Sequence, residues 1–386
     1  MDMPRRDTFT GSNNIAKPER LPEGEVVEAV NLDFTVGGKA ELRTGFELVA
    51  GFANVRALFE MGSDIALVAG DKLIRITLRG NTELAVVGDG PIAACWHNNE
   101  LFLNTFDQSL RIGANVLPWA VTAPVFDIQV VAGSFPAGVY QVGVTAIQGV
   151  ESGCLPMIVS LGEGQGLRVN VTDDRDCRLY CSVANGSTLY SQGKAYSTNL
   201  LGRPYDDSER LTTAGLYRLP YCTRLVSHGA MLVGAWDKYL FHTQPMLAHL
   251  HNPESDFLQF PAAIGVIISV DGGLFVCADK TYFIAGLGGA DLVQRTVLEF
   301  GAVAGSAVLL PDGSAAWFCE YGQVIGRKDG SVELINRASY APDIASQGAA
   351  GFIEHNGNQM VVTTLRGETK GSGLRSTDHW DLEIIE

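Results

Sequence analysis

The sequence predicts an all-β protein: a β-propeller of about six blades with a β-sandwich domain inserted into it. Three observations lead there. An apolar run, a tight polar turn, a second apolar run and another turn recur as one phrase along the 386 residues, from NVRALFEMGSDIALVAGDKLIRI (54–76) to AAGFIEHNGNQMVVTTL (349–365). The first turn of each phrase falls at Gly62, Asn98, Gly229, Gly272, Gly313 and Gly357. Four of the five intervals are 36, 43, 41 and 44 residues, the period of propeller blades built from several short strands. The remaining interval, Asn98 to Gly229, is 131 residues, which leaves room for a separate domain after the second blade.

Residues 1–25 hold Pro4, Pro18 and Pro22 among polar residues and read as an extended arm, since proline removes the backbone donors a helix needs. An arm of that length must lie on its own domain or on a neighbour. Residues 26–120 follow as a closing hairpin and the first two blades. In the hairpin, EAVNLDFTV and KAELRTGFELVA alternate around Gly37-Gly38, a good tight-turn pair. A hairpin before the first blade and a short last blade suggest that the N-terminal strand completes the C-terminal blade and leaves no open edge. Residues 121–215 form the insert: AGVYQVGVTAI, LPMIVSL, GLRVNVT and CRLYCSVA are strands with turns every 8–12 residues or so, the grammar of a β-sandwich. Helix is expected only as short segments near 190–215. Residues 216–386 supply the remaining blades and a C-terminal tail.

Composition narrows the function classes. The chain is 46% hydrophobic, with 44 glycines and only 18% charged residues, so it buries a sizeable core and turns often. A formal charge of −15 argues against a broad grip on nucleic-acid phosphates, and suits solubility or a surface along which DNA slides. No apolar run approaches the ~20 residues of a membrane span, and MDMPRRDTFTG lacks the apolar core of a signal peptide. The expectation is synthesis in the cytoplasm and no membrane insertion. Seven cysteines, several inside apolar strand runs, read as buried free thiols rather than a disulfide framework.

Several clusters could carry chemistry, and each has a plainer reading. His242, His249 and His251 could meet a third donor such as Glu254 or Asp256 at a metal, but Pro245 and Pro253 mark a polar loop. Cys177 and Cys181 would lie about 13 Å apart along a strand at ~3.3 Å per residue, too far for a disulfide. TDDRD (172–176) sits in a turn, where aspartate is favoured for its own backbone bonds over calcium. The pair Asp206-Asp207 and the lone Asp378 show no partner carboxylate for glycoside hydrolysis. GLGGA (286–290) and GEGQG (162–166) open no helix and read as hairpin loops. Trp96, Trp236 and Trp317 occupy related blade positions and read as core packing. Catalytic, cofactor and metal residues are therefore not assigned, and the chain reads as a non-enzyme.

Three stretches, in order and covering most of the chain, resemble a family of tailed-bacteriophage virion proteins. FTGSNNIAKPERLPEGEVVEAVNLDFTVGGKAELRTGFELV (9–49) resembles the family's Asn-rich arm and its "NxD…G…R.G" hairpin, matched here by Asn31, Asp33, Gly37 or Gly38, Arg43 and Gly45. AGVYQVGVTAIQGVESG (137–153) with CRLYCSVANGSTLY (177–190) resembles its fibronectin-like insert, and residues 232–286 its blade pair. The β-propeller nozzle or hub proteins of short-tailed phages are the nearest analogues. The resemblance implies a structural subunit of a homo-oligomeric, hexameric ring in the virion tail, touching other tail, adaptor or portal proteins and passing DNA without binding it specifically. Interface residues are then expected in the arm (Asn13, Asn14, Leu21), with Asp33 and Arg43 pinning the hairpin. The alternative is a carbohydrate- or receptor-binding propeller at the tail tip.

Overall fold

A computed structural model describes residues 8–35, 37–43, 45, 51–335, 337–339, 345–355 and 358–367. Gly357, Asp378 and Trp380 lie outside them. The described chain is all-β apart from one 3-10 turn at Pro18–Arg20, so the segment near 190–215 is not helical. It forms the strands Leu189–Ala195 and Thr198–Leu201 instead, because each finds a sheet neighbour. No helix among the described residues is long and apolar enough to cross a membrane.

The fold is a β-propeller type with a sandwich insert. Five four-stranded sheets, each with its strands in chain order, are the blades. They begin at Val55–Met61, Ala93–His97, Arg224–His228, Val266–Val270 and Val308–Leu309. After them the described residues form a further hairpin, Gln347–His355 with Asn358–Arg366. The expected N-terminal hairpin forms: Leu32–Phe34 pairs with Ala40–Leu42, and among the described residues these two strands pair with each other.

The chain divides into two compact units. One comprises residues 55–234 and 241–258. Here the first two blades face each other through Met61, Ala66, Val68, Leu73, Leu101, Leu103 and Ile112, the inward half of alternating strands. The insert follows as two packed sheets. Val125–Ala132, Gln165–Thr172 and Thr198–Leu201 form one, in the order first–second–third. Met157–Leu161, Gly138–Ile147, Asp176–Ser182 and Leu189–Ala195 form the other. Between them lie Tyr140, Val142, Val144, Leu167, Val169, Leu179 and both Cys177 and Cys181, a core that belongs to the insert alone. The two cysteines share its inner face as free thiols.

The other unit comprises residues 1–54, 235–240 and 259–386. Its core joins the fourth and fifth blades through Phe275, Phe283, Cys277, Trp317 and Val324. Phe275 lies 5.0 Å from Trp317 and 4.9 Å from Phe283, centroid to centroid. Gly326 makes room for this stack, since a Cβ there would stand 2.6 Å from both Phe275 and Trp317. Trp236 differs from Trp317 in being 49% exposed, so the three blade tryptophans do not share one packing role. The N-terminal segment folds back on itself: Gly11–Ser12 pairs in parallel with Glu25–Val26, and the Asn14 amide donates to Ser339 O at 3.1 Å.

Candidate functional site

The arm residues picked out in the sequence fall into two kinds. Asn13 is buried; its amide donates to Glu25 Oε2 at 2.6 Å, and its Oδ1 accepts from the backbone of Ile15 and Ala16. It holds the arm's own turn. Leu21 is half-buried, and Asn14 reaches Ser339 through its backbone. Asp33 Oδ1 accepts from Arg43 Nε at 3.0 Å and lies 2.9 Å from Nη2, across the Leu32–Leu42 hairpin. Close by in sequence, Ile15, Val27, Val30 and Leu42 are exposed, Leu42 at 82%.

The histidines are dispersed. His242, His249 and His251 are all buried, but His242 Nδ1 donates to Thr243 O and His249 Nε2 donates to Glu151 O at 2.8 Å. Among the described residues no group of three or more histidine, cysteine or acidic side chains converges on a metal position. In TDDRD, Asp173 is filled by Arg175, through its backbone N–H at 3.0 Å and its guanidinium Nε at 2.8 Å. That cation holds the Asp173 carboxyl below the usual carboxylate range and takes the place calcium would need.

The most structured polar site includes only one of the sequence candidates, His249. In the second blade, Asn98 and Asn99 carry φ values of 48° and 64°, two left-handed residues in a tight hairpin turn. The turn sets His97 opposite Glu100 in register, and Phe102 opposite Arg111. Strand alternation then puts His97, Glu100, Phe102 and Arg111 on one face, away from the apolar face that packs on the first blade. A cavity of about 310 Å³ lies on that polar face. Val150 and Glu151 of the insert, Thr212 and Thr213, and Met246 to His249 complete its walls.

Buried side chains tie these segments together through backbone carbonyls. Arg111, 6% exposed, donates through Nη2 to Gln148 O at 2.9 Å; Trp119 Nε1 donates to Ala248 O at 2.8 Å. Tyr217 and His251 exchange backbone bonds of 2.9 and 2.7 Å. The Glu151 carboxylate accepts from Thr145 Oγ1 and Tyr180 OH, both at 2.7 Å. Burial, with that carboxylate beside it, pushes the Tyr180 phenol up to about 12. Burial also pushes His97 and His249 below the usual imidazole range, so both are neutral at neutral pH. Sequence reading missed this site because its residues come from segments up to 152 positions apart and no motif links them. The Asn98-Asn99 turn between apolar runs and the clustered His249 were its local signals.

No family model matches the chain, and no curated protein matches it. Solved structures similar to it include a streptogramin B lyase (12% identity, TM-score 0.33, 75% of this chain and 84% of that one). BBS1N in complex with ARL6DN is similar at 11% identity and TM-score 0.33, over 82% of this chain and 90% of that one. AztD from Citrobacter koseri is similar at 13% identity and TM-score 0.28, over 73% and 85%.

Proposed function

We propose that this chain is a non-enzymatic structural subunit of a tailed-phage virion, a nozzle- or hub-like protein that assembles with copies of itself into a ring around the DNA-ejection path. The observation that carries this reading is the ordered resemblance of the arm and hairpin, the insert and the blade pair to that virion family. Two features support it. Blade sheets with a tightly tied insert make a stiff building block, and Ile15, Val27, Val30 and Leu42 offer apolar surface near the N-terminus to a neighbouring copy. The charge of −15 suits a wall past which DNA moves. Asn13 then acts by shaping the arm, while the exposed apolar residues make the contact.

Native mass spectrometry with negative-stain imaging of the same fraction tests the proposal. A closed ring, formed alone or on adding a tail or portal partner, is the expected result. A monomer that stays monomeric with those partners would refute it.

A further inference from the structure

After His242 the chain leaves the third blade's sheet and rejoins it at Phe257, and residues 243–256 between them form a strap. Its neck is closed by the His242 amide, which donates to Asp256 O at 3.1 Å, and pinned by the Thr243 amide on Leu232 O at 2.9 Å. Beyond the neck, four ties hold it down. The Met246 amide donates to Ala230 O at 3.0 Å, Trp119 Nε1 to Ala248 O and His249 Nε2 to Glu151 O, and His251 exchanges backbone bonds with Tyr217. Ala248 thereby packs on the apolar cluster of Phe102, Trp119, Leu219 and Leu232. Met246 carries a φ of 65°, a left-handed conformation that a β-carbon disfavours, so the tied strap holds strain that release removes.

Two of its ties run through buried histidines. An imidazole that takes up a proton must donate from both ring nitrogens. His249 already commits Nε2 to Glu151 O, and His251 Nδ1 is buried with no partner, so a proton there points at no acceptor. The charged neighbours do not mend this. Around His249, Glu100 and Glu151 line the same cavity as Arg111 and His97, and Arg111 repels an imidazolium. Beside His251, Asp256 attracts and His242 repels. The Asp256 carboxylate is already occupied, however, by Gln244 Nε2, the Asn252 amide at 2.7 Å and Ser255 Oγ at 2.8 Å. Burial outweighs these attractions and holds both imidazoles below 6.5 in the tied strap.

We propose that residues 244–255 are an acid-released strap: protonation of His249 and His251 lifts them off the second blade and the insert and uncovers Trp119, while the sheets beneath stay folded. The released strap is the form that takes up protons first. Closure is therefore complete above pH 6.5 and weakens as pH falls below it, by about tenfold per histidine between pH 7.5 and 5.5. This device does not depend on ring assembly.

Hydrogen exchange of the full chain at pH 7.5 and 5.5, corrected for the intrinsic rate, tests it. The amides of Tyr217, Met246 and His251 are expected to lose protection by about a hundredfold at the lower pH. Those of the insert strand Gly138–Ile147 should stay the better protected at both. His249→Gln keeps a donor for Glu151 O but takes up no proton, and should cut the loss to about tenfold; adding His251→Leu should abolish it. A variant that fails to fold shows itself by unprotected amides in Gly138–Ile147 at pH 7.5, and the wild-type comparison then decides alone. The proposal is overturned if the strap amides keep their protection at pH 5.5, if they exchange no faster than those of Gly138–Ile147, or if folded variants respond to acid as the wild type does.

Discussion

Arg111 shows how one side chain can be both prop and site. Its Nη2 holds the insert's Gln148 carbonyl while the residue also lines a cavity. Replacing it with methionine removes that bond while the carbonyl of the exposed Gln148 can turn to water, so we expect a loss of about 0.5–1.5 kcal/mol, read from urea unfolding. The titrating residues set two pH limits. Burial pushes Cys181, Cys222 and Cys277 up to about 12 from 9.0. The unfolded chain therefore gives up these protons first, and stability is full below pH 9 and falls as pH rises from there toward 12. At the acid side His97, His249 and His251 are held below 6.5 by burial, so the unfolded chain takes up protons first. Stability is then full above pH 6.5 and falls as pH drops below it. Thermal unfolding between pH 5 and 11 should give a plateau between the two limits; a midpoint that keeps rising through pH 10 would contradict the thiol assignment.

At the scale of elements, close backbone approaches fix where blades and insert meet. A Cβ on Gly153 would stand 2.0 Å from the Leu216 carbonyl oxygen, whereas one on Gly202 would meet nothing within 4 Å. Gly153→Ala should therefore cost about 1–3 kcal/mol and Gly202→Ala close to nothing, compared by the same unfolding assay. The Asp33–Arg43 pair, with side chains about a third exposed, should be worth under about 1 kcal/mol, and Arg43→Ala should barely move the melting temperature. Elements of this kind were the most legible part of the sequence. Gly62, Asn98, Gly229 and Gly313 do take left-handed turns at the hairpin tips, because alternating apolar runs demand a reversal there. The N-terminal hairpin was legible too, as the Leu32–Phe34 and Ala40–Leu42 pair, but pairing between distant strands leaves no periodic trace in a sequence. Trp236 looked like its counterpart Trp317 because sequence records strand position but not what covers it.

For the whole molecule, the insert is the part whose removal should matter most. Arg111 and His249 donate into residues 148 and 151, and Tyr217 and His251 pair at its foot. Replacing residues 121–215 with a short flexible linker is expected to broaden unfolding and lower its midpoint, not merely to subtract a domain. Sequence spacing located the insert, but it could not show that buried side chains bolt it down, since those bonds end on backbone carbonyls of any residue type. The Asn14–Ser339 bond has a consequence in time. Its partners lie 325 residues apart, so this one bond forms only after the whole stretch between them has left the ribosome. At about 5–20 residues per second that delay is roughly 16–65 s. The arm's own pairing can thus form early in synthesis, while its tie to the far end of the same unit is made late.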